Sequence, residues 1–176
     1  MNKGDRIGPY QLIQPLGGGG MGEIWQARDV SLERTVAIKF IQEFRLHDPE
    51  FRRRFQREAR ILARLEHPQI VPVHRLDEHE GQPYFVMDFI RGRTLYDAAR
   101  REGGQRVERC IDWFRQGAEL LAYAHERGVL HRDIKPGNIM VDIEGKVRLI
   151  DFGLALSVDT SSRLTEFGDT PGTRSY

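Results

Sequence analysis

The polar stretch from His131 to Asn138 constrains the fold and chemistry of this chain more than any other segment. It lies between an apolar predicted helix and an apolar predicted strand. Asp133 offers a carboxylate that can accept a proton, Lys135 a cation, and Asn138 a carbonyl oxygen suited to a hard metal ion. These groups together suit transfer of a charged group to a hydroxyl. For this stretch alone, a solvated turn containing Asp, Pro and Gly is the alternative.

Composition and charge narrow the class of protein. The chain has 176 residues, of which 39% are hydrophobic and 30% charged, as is ordinary for a globular protein with one substantial core or two small lobes. The formal net charge of +1 gives no reason to expect nucleic-acid or membrane binding. The single cysteine, Cys110, excludes an internal disulfide framework and fits a reducing compartment. With no signal peptide or bilayer-spanning run in the sequence, we expect a soluble, cytoplasmic chain with no membrane segment.

A glycine-rich run near the N-terminus indicates phosphate binding. A predicted strand over 10–13 leads into Gly17, Gly19 and Gly22, which fit the pattern Gly-x-Gly-x-x-Gly. Such a loop lets backbone N–H groups approach phosphate closely. The residues that follow, 23–28, alternate as a strand does, which favours a strand–turn–strand hairpin over a dinucleotide-binding helix. A flexible loop without a ligand is the alternative.

A buried ion pair is predicted downstream. Lys39 is embedded in the apolar strand over 35–41, and Asp48 begins a helix as its N-cap. Glu58 falls on the inward face of that helix, which also carries Phe51, Phe55, Leu62 and Leu65. A carboxylate there must be paired, and Lys39 is the candidate partner. The alternative is that Lys39 is simply an exposed residue of an edge strand. The opposite face is interpreted as solvated rather than as a binding site; it carries Arg52, Arg53, Arg54, Arg57, Arg60 and Arg64.

The second half predicts helices followed by a hairpin. Thr94 caps a short helix through Arg101, and a longer helix spans about 107–127. The predicted apolar face of that longer helix carries Val107, Ile111, Phe114, Ala118, Leu121 and His125, with His125 as a core histidine. A turn at Gly145 joins two short strands. The second strand leads to Asp151, whose carboxylate would project into a cleft as a ligand for a divalent cation.

These motifs, in this order, resemble those of protein kinases over almost the whole chain. The stretch 131–138 is similar to the family's His-Arg-Asp-x-x-x-x-Asn catalytic loop, and 151–153 is similar to its Asp-Phe-Gly magnesium motif. Lys135-Pro136 resembles serine/threonine kinases, and the general style resembles the bacterial eukaryotic-like (Hanks-type) kinases.

The resemblance implies an α+β, two-lobed kinase fold. We expect an extension over 1–9 and then an N-lobe over about 10–88, with an antiparallel five-stranded sheet and one main helix. A hinge over 88–92 would lead to a mainly helical, partial C-lobe over 93–176. The family pattern continues beyond the activation segment, so we expect an incomplete domain, poorly stable and weakly active or inactive alone. Phe114, Leu121 and Ile139 would then leave an apolar patch exposed.

The resemblance also implies the site residues. Asp133, Lys135, Lys39 and Glu58 would be catalytic, and Asn138 and Asp151 would hold Mg²⁺, or Mn²⁺ in its place. The nucleotide would contact Gly17, Gly18, Gly19, Gly20, Met21, Gly22, Ile24, Ala37, Lys39, Met87, Asp88, Ile90 and Met140. An apolar spine would contain Leu62, Val73, His131 and Phe152.

The implied reaction is transfer of the γ-phosphoryl of ATP to serine or threonine hydroxyls of protein substrates, with no role for nucleic acid. A nucleotide-binding pseudokinase is one alternative, disfavoured because no motif residue is replaced. A small-molecule kinase of similar design is another; Lys135 and the threonine-rich tail favour a protein substrate instead.

Overall fold

Within the residues described by this computed structural model, namely 1–19, 22–41, 43, 46–100, 106–150 and 156–157, the chain divides into two compact units. The first unit contains residues 1–63 and 72–90, and the second contains 64–71 and 91–176. Segment 64–71 therefore belongs with the second unit, although it precedes two strands of the first.

An antiparallel sheet dominates the first unit. Its six described strands are β1 (Arg6–Ile7), β2 (Tyr10–Gly19), β3 (Gly22–Asp29), β4 (Arg34–Phe40), β5 (Val73–His79) and β6 (Gln82–Asp88), in the spatial order β1-β2-β3-β4-β6-β5. The five predicted strands are present. The short β1 was not predicted; it pairs with β2, and Ile7 lies in the core.

Strand alternation gives this sheet two buried faces. On one face an apolar cluster packs together; it contains Ile7, Tyr10, Leu12, Trp25, Ala27, Val36, Ile38, Phe40, Tyr84 and Val86. Against the other face packs helix α1 (Pro49–Arg64), where the rings of Phe55 and Phe85 lie 5.0 Å apart. Asp48 caps α1 as predicted, because its Oδ1 accepts from the N–H groups of Glu50 at 3.0 Å and Phe51 at 3.1 Å.

The second unit contains the remaining elements. They are β7 (Gly92–Thr94), α2 (Leu95–Ala99), α3 (Val107–Glu126), β8 (Val129–Leu130), a 3₁₀ turn (Pro136–Asn138), β9 (Ile139–Asp142), β10 (Val147–Leu149) and β11 (Leu156–Ser157). Strands β10, β9 and β7 form one small sheet in that order, and β8 pairs with β11. Thr94 caps α2 by accepting from the Asp97 N–H at 3.1 Å, but α2 ends at Ala99, earlier than predicted. Among the described helices, none combines the length and the hydropathy needed to cross a bilayer.

The predicted apolar face of α3 is largely exposed, and the prediction that His125 is a core histidine is wrong. Phe114 is 78% exposed, and Val107, Ile111 and His125 are also exposed. The buried positions are instead Trp113, Gln116, Leu120 and Ala124. The expected exposed patch is present at Phe114, whereas Leu121 and Ile139 are half-buried.

A buried amide explains why α3 packs through the other face. Gln116 is 5% exposed, its Oε1 accepts from the Val147 N–H at 2.9 Å and from Gln69 Nε2 at 2.8 Å, and its Nε2 donates to Asp112 at 2.8 Å. The same Gln69 amide donates to the Val147 carbonyl at 3.0 Å. Buried polar groups with partners cost little, and this network ties segment 64–71 to α3 and β10.

Asp142 fastens the β9–β10 hairpin. Its carboxylate accepts from the N–H groups of Glu144 at 3.0 Å and Lys146 at 2.9 Å, and from Arg148 Nε at 2.9 Å. Burial alone would raise the pKa of Asp142, but the hydrogen bonds from the Lys146 N–H and the Arg148 guanidinium outweigh burial and hold the pKa below its usual value.

The hairpin should therefore loosen in acid. The folded-state pKa of Asp142 lies below the unfolded value of about 4. The stability that Asp142 gives the hairpin is therefore fully present above the unfolded pKa and is lost as the pH falls through the folded pKa. Amide hydrogen exchange should show protection of the Lys146 N–H falling in acid in the wild type. In Asp142→Asn that protection should be low throughout. Equal protection in both proteins at neutral pH would contradict this role.

Candidate active site

One face of the first unit's sheet gathers four of the predicted nucleotide-binding residues. In the strand register, Lys39 lies opposite Ile24 on β3 and opposite Phe85 on β6, and Ala37 lies opposite Met87. Residues directly opposite each other share a face, and so do residues two apart along a strand. Ile24, Ala37 and Met87 therefore lie on the same face as Lys39.

Lys39 and Glu58 form the predicted ion pair. The distance from Lys39 Nζ to Glu58 Oε1 is 2.6 Å, and their side chains are 4% and 1% exposed. The Lys39 ammonium also lies 5.6 Å from the centre of the Phe85 ring. A pair this deeply buried needs additional contacts to offset the cost of desolvation, and the aromatic face supplies one.

The glycine-rich segment is a strand–turn–strand hairpin, as predicted. Gly17 pairs with Ile24, and Gly19 pairs with Gly22, across β2 and β3. Gly17 has φ +148°, a conformation that other residues rarely adopt, and it follows a bulge in β2. A Cβ on Gly22 would lie 2.2 Å from the Phe40 carbonyl oxygen, so no larger residue fits there without a shift of the backbone. Gly20 and Met21 lie outside the described residues.

In the second unit, Asp133, Lys135 and Asn138 come together as predicted. Asp133 Oδ2 accepts from Lys135 Nζ at 2.6 Å and from Asn138 Nδ2 at 3.2 Å. Asn138 Nδ2 also donates to the Asp133 carbonyl at 2.8 Å, and the 3₁₀ turn over 136–138 holds the buried Asn138 in place. The Asp133 side chain is 15% exposed, so its carboxylate remains accessible.

Asn138 is the one of the two predicted metal ligands that lies within the described residues. Because Nδ2 donates to Asp133, Oδ1 is the atom of this amide suited to a hard cation, which fits the oxygen ligands that Mg²⁺ prefers. Asp151, the second predicted ligand, lies outside the described residues, as does Phe152. Elsewhere in the part of the chain that is described, no three His, Cys, Asp or Glu side chains form a group that could hold a metal ion.

In the segment predicted as the hinge, the backbone N–H of Asp88 already has a hydrogen-bond partner. The Asp88 N–H donates to the Pro72 carbonyl at 3.3 Å, and the Asp88 carboxylate contacts His74 Nε2 at 2.7 Å. Ile90 and Met140 are half-buried. Of the predicted spine residues, Leu62 and His131 are buried and Val73 is half-buried.

Two supporting contacts were not predicted for the site, and His131, which makes one of them, was predicted only as part of the loop and of the spine. One is Phe85 beneath the Lys39 ammonium, which strand alternation could have indicated because Phe85 has the same parity as Met87. The other is the His131 ring, whose Nδ1 accepts from the Asp133 N–H at 3.3 Å and so steadies the backbone of the catalytic carboxylate. The spacing of two residues between His131 and Asp133 was the available signal.

Comparison with known proteins supports the geometry. The protein-family model "Protein kinase domain" matches residues 10–176. Serine/threonine-protein kinase PknE of Mycobacterium tuberculosis is 42% identical over 174 residues, which is 99% of this chain and 31% of that protein. Serine/threonine-protein kinase PknH of the same species is 40% identical over 173 residues, 98% of this chain and 28% of that protein. This chain thus spans about a third of the length of these relatives.

A solved structure shares the fold. The crystal structure of the Mycobacterium tuberculosis PknI kinase domain has a TM-score of 0.72 and 34% sequence identity, covering 89% of this chain and 64% of that chain. The predicted kinase-like fold is confirmed, and these similar proteins are bacterial, as the general style of the sequence indicated. The chain belongs to the protein kinase domain family.

Proposed function

We propose that this chain carries the phosphoryl-transfer machinery of a serine/threonine protein kinase. The observation that carries the proposal is that each unit contains one cluster of the predicted catalytic side chains in direct contact. One is the buried Lys39–Glu58 ion pair, and the other is Asp133 held by Lys135 and Asn138. Both are parts that phosphoryl transfer requires, since that chemistry depends on positioning and on electrostatic stabilisation.

In the first unit, the sheet face around Lys39 would take the nucleotide. Lys39, kept in place by Glu58, would hold the phosphates, and the backbone of Gly17–Gly22 would cover them. Ile24, Ala37 and Met87 would contact the adenine with apolar surface. Because the Asp88 N–H already bonds to Pro72, we expect the Asp88 carbonyl to accept from the adenine and the Ile90 N–H to donate to it.

In the second unit, the Asp133 carboxylate would orient the acceptor hydroxyl and take up its proton. Lys135 contacts Asp133 in this structure and would also steady the transferred phosphoryl group. Asn138 and Asp151 would hold Mg²⁺. When bound, Mg²⁺ neutralises charge on the phosphate oxygens. The Asn138 amide nitrogen would keep the Asp133 carboxylate oriented, and the Asn138 amide oxygen would be the ligand for the ion.

The domain limits belong to the same proposal. The N-lobe would end near Asp88, the hinge would span 88–92, and the C-lobe would follow. Use of ATP would place the reaction in the cytoplasm. Protein serine or threonine side chains are favoured as acceptors because the similar curated proteins are named serine/threonine-protein kinases.

An acceptor comparison tests the proposal. The intact protein is incubated with Mg-ATP and with peptides that differ only in a Ser, Thr or Tyr acceptor, or with small alcohols. We expect ADP release that depends on Mg²⁺ and on a Ser or Thr peptide. Nucleotide binding without acceptor-dependent ADP release would indicate a pseudokinase, and turnover with small alcohols alone would indicate a small-molecule kinase; either result would contradict the proposal.

A further inference from the structure

The outer face of α1 carries a line of four arginines, Arg53, Arg57, Arg60 and Arg64, which we call the arginine stripe. Their spacing of i, i+4, i+7 and i+11 places them along one side of the helix. At 1.5 Å per residue the stripe is about 17 Å long. All four residues are exposed.

Within the part of the chain that the structure describes, the stripe arginines differ from the arginines beside them because they lack ion-pair partners. The adjacent arginines have partners: Arg52 bonds to Glu78 and to the Gly81 carbonyl, and Arg54 bonds to Glu50. Among the described residues, none of the four stripe arginines takes part in an ion pair. Like charges three and four residues apart destabilise a helix, so folding alone does not account for this arrangement.

A general attraction to anions does not account for it either. Residues 1–64 and 72–90, which include the whole stripe, contain thirteen basic and twelve acidic residues, so their net charge is only +1. Exposed carboxylates lie close to the stripe at Glu50, on the same helix, and at Glu66, just after it. A broad anionic surface would meet these carboxylates as well, so a narrow ligand that follows the stripe is favoured.

The exposed face of α1 also lacks the large apolar side chains with which many proteins bind membranes or single-stranded nucleic acids. The apolar residues of α1 lie on its buried face, and no large hydrophobic side chain of α1 is among the exposed ones in the described part of the chain. Helices that lie on membranes insert such residues, and single-stranded nucleic acids stack on exposed aromatic rings. A row of guanidinium groups without them suits carboxylates, with which arginine forms paired hydrogen bonds.

We propose that the arginine stripe docks an acidic polypeptide segment whose carboxylates repeat at helical spacing. This surface lies on the face of α1 opposite Glu58, and its binding rests on exposed charge rather than on phosphoryl transfer. The two activities are therefore separable by experiment.

The test measures binding of a fluorescein-labelled helical peptide, with glutamates at i, i+4, i+7 and i+11, to the intact protein by fluorescence anisotropy. The stripe variant changes all four arginines to Gln, which keeps helix propensity. The control variant changes four exposed basic residues elsewhere, Lys3, Arg6, Arg28 and Arg106, to Gln, so that both variants lose the same charge. We expect the stripe variant to bind the peptide at least roughly tenfold more weakly than the wild type, because four exposed ion pairs are lost. The control variant should bind the peptide about as tightly as the wild type.

Several results would overturn the proposal. They are absence of peptide binding by the wild type, an equal loss in the control variant, or tighter binding of phosphatidylserine vesicles or duplex DNA than of the peptide. Circular dichroism checks that the stripe variant keeps its helix content. If it does not, the double variant Arg57→Gln/Arg60→Gln replaces it; an intermediate loss of binding would support the proposal, and unchanged binding would overturn it.

Discussion

Replacing Asp133 with Asn should lower phosphoryl transfer by roughly 10²–10⁴-fold, the usual contribution of a positioned general base. The amide keeps the shape of the side chain but cannot accept the proton of the acceptor hydroxyl. Nucleotide affinity should change little, because the groups proposed to hold the nucleotide are Lys39 and the glycine-rich hairpin. Turnover and nucleotide binding are measured separately on the intact protein.

The neighbouring residue supplies the control for Asp133. Ile134 lies in the same loop, is 39% exposed and has no ionisable group. Ile134→Val should leave turnover nearly unchanged, so that a loss confined to Asp133→Asn reflects the carboxylate rather than the loop. If Asp133→Asn kept full turnover, or lost nucleotide binding to the same degree as turnover, its assignment as the base would be wrong.

Breaking the Lys39–Glu58 pair should have the largest effect on stability. Glu58→Gln leaves the Lys39 ammonium buried without its carboxylate, which typically costs about 3–5 kcal/mol. For a domain of this size the melting temperature of the corresponding transition should fall by roughly 6–20 °C. Phosphoryl transfer should fall as well, because Lys39 would no longer be held in place for the phosphates.

A double variant separates these two effects. Lys39→Met/Glu58→Leu removes both charges and leaves apolar side chains, which often restores the stability lost with a single partner. We expect the melting temperature to recover while phosphoryl transfer stays lost. The exposed Arg54–Glu50 pair on the same helix is the matched control, since removing it should change stability by less than about 1 kcal/mol. Recovery of activity in the double variant would show that Lys39 has only a structural role.

Features encoded by neighbouring residues could be predicted from the sequence. The hairpin at the glycine-rich run follows from strand alternation on both sides of it, and the start of α1 follows from Asp48 and Pro49. The Lys39–Glu58 pair could be predicted although the residues are 19 apart, because a carboxylate on an apolar helix face requires a cation. The cluster around Asp133 is local, with all members within 131–138.

Features that depend on distant partners could not be predicted. The sequence gives no reason to bury Gln116, because its hydrogen-bond partners Gln69 and Val147 are 47 and 31 residues away. Hydrophobic periodicity therefore identified the apolar face of α3 that carries Phe114, but it could not show that α3 packs through the face that carries Gln116. Likewise, Arg6 and Ile7 are too short a run to signal a strand, and β1 exists because β2 offers a free edge.

The most direct test of the central claim is phosphoryl incorporation into a protein acceptor. The intact wild-type protein and Asp133→Asn are each incubated with Mg-ATP and a protein rich in exposed serine and threonine, and the modified residues are identified by mass spectrometry. The wild type should add phosphoryl groups to serine or threonine, and Asp133→Asn should add them far more slowly. Nucleotide binding by the wild type without any transfer, or equal transfer by both proteins, would contradict the account.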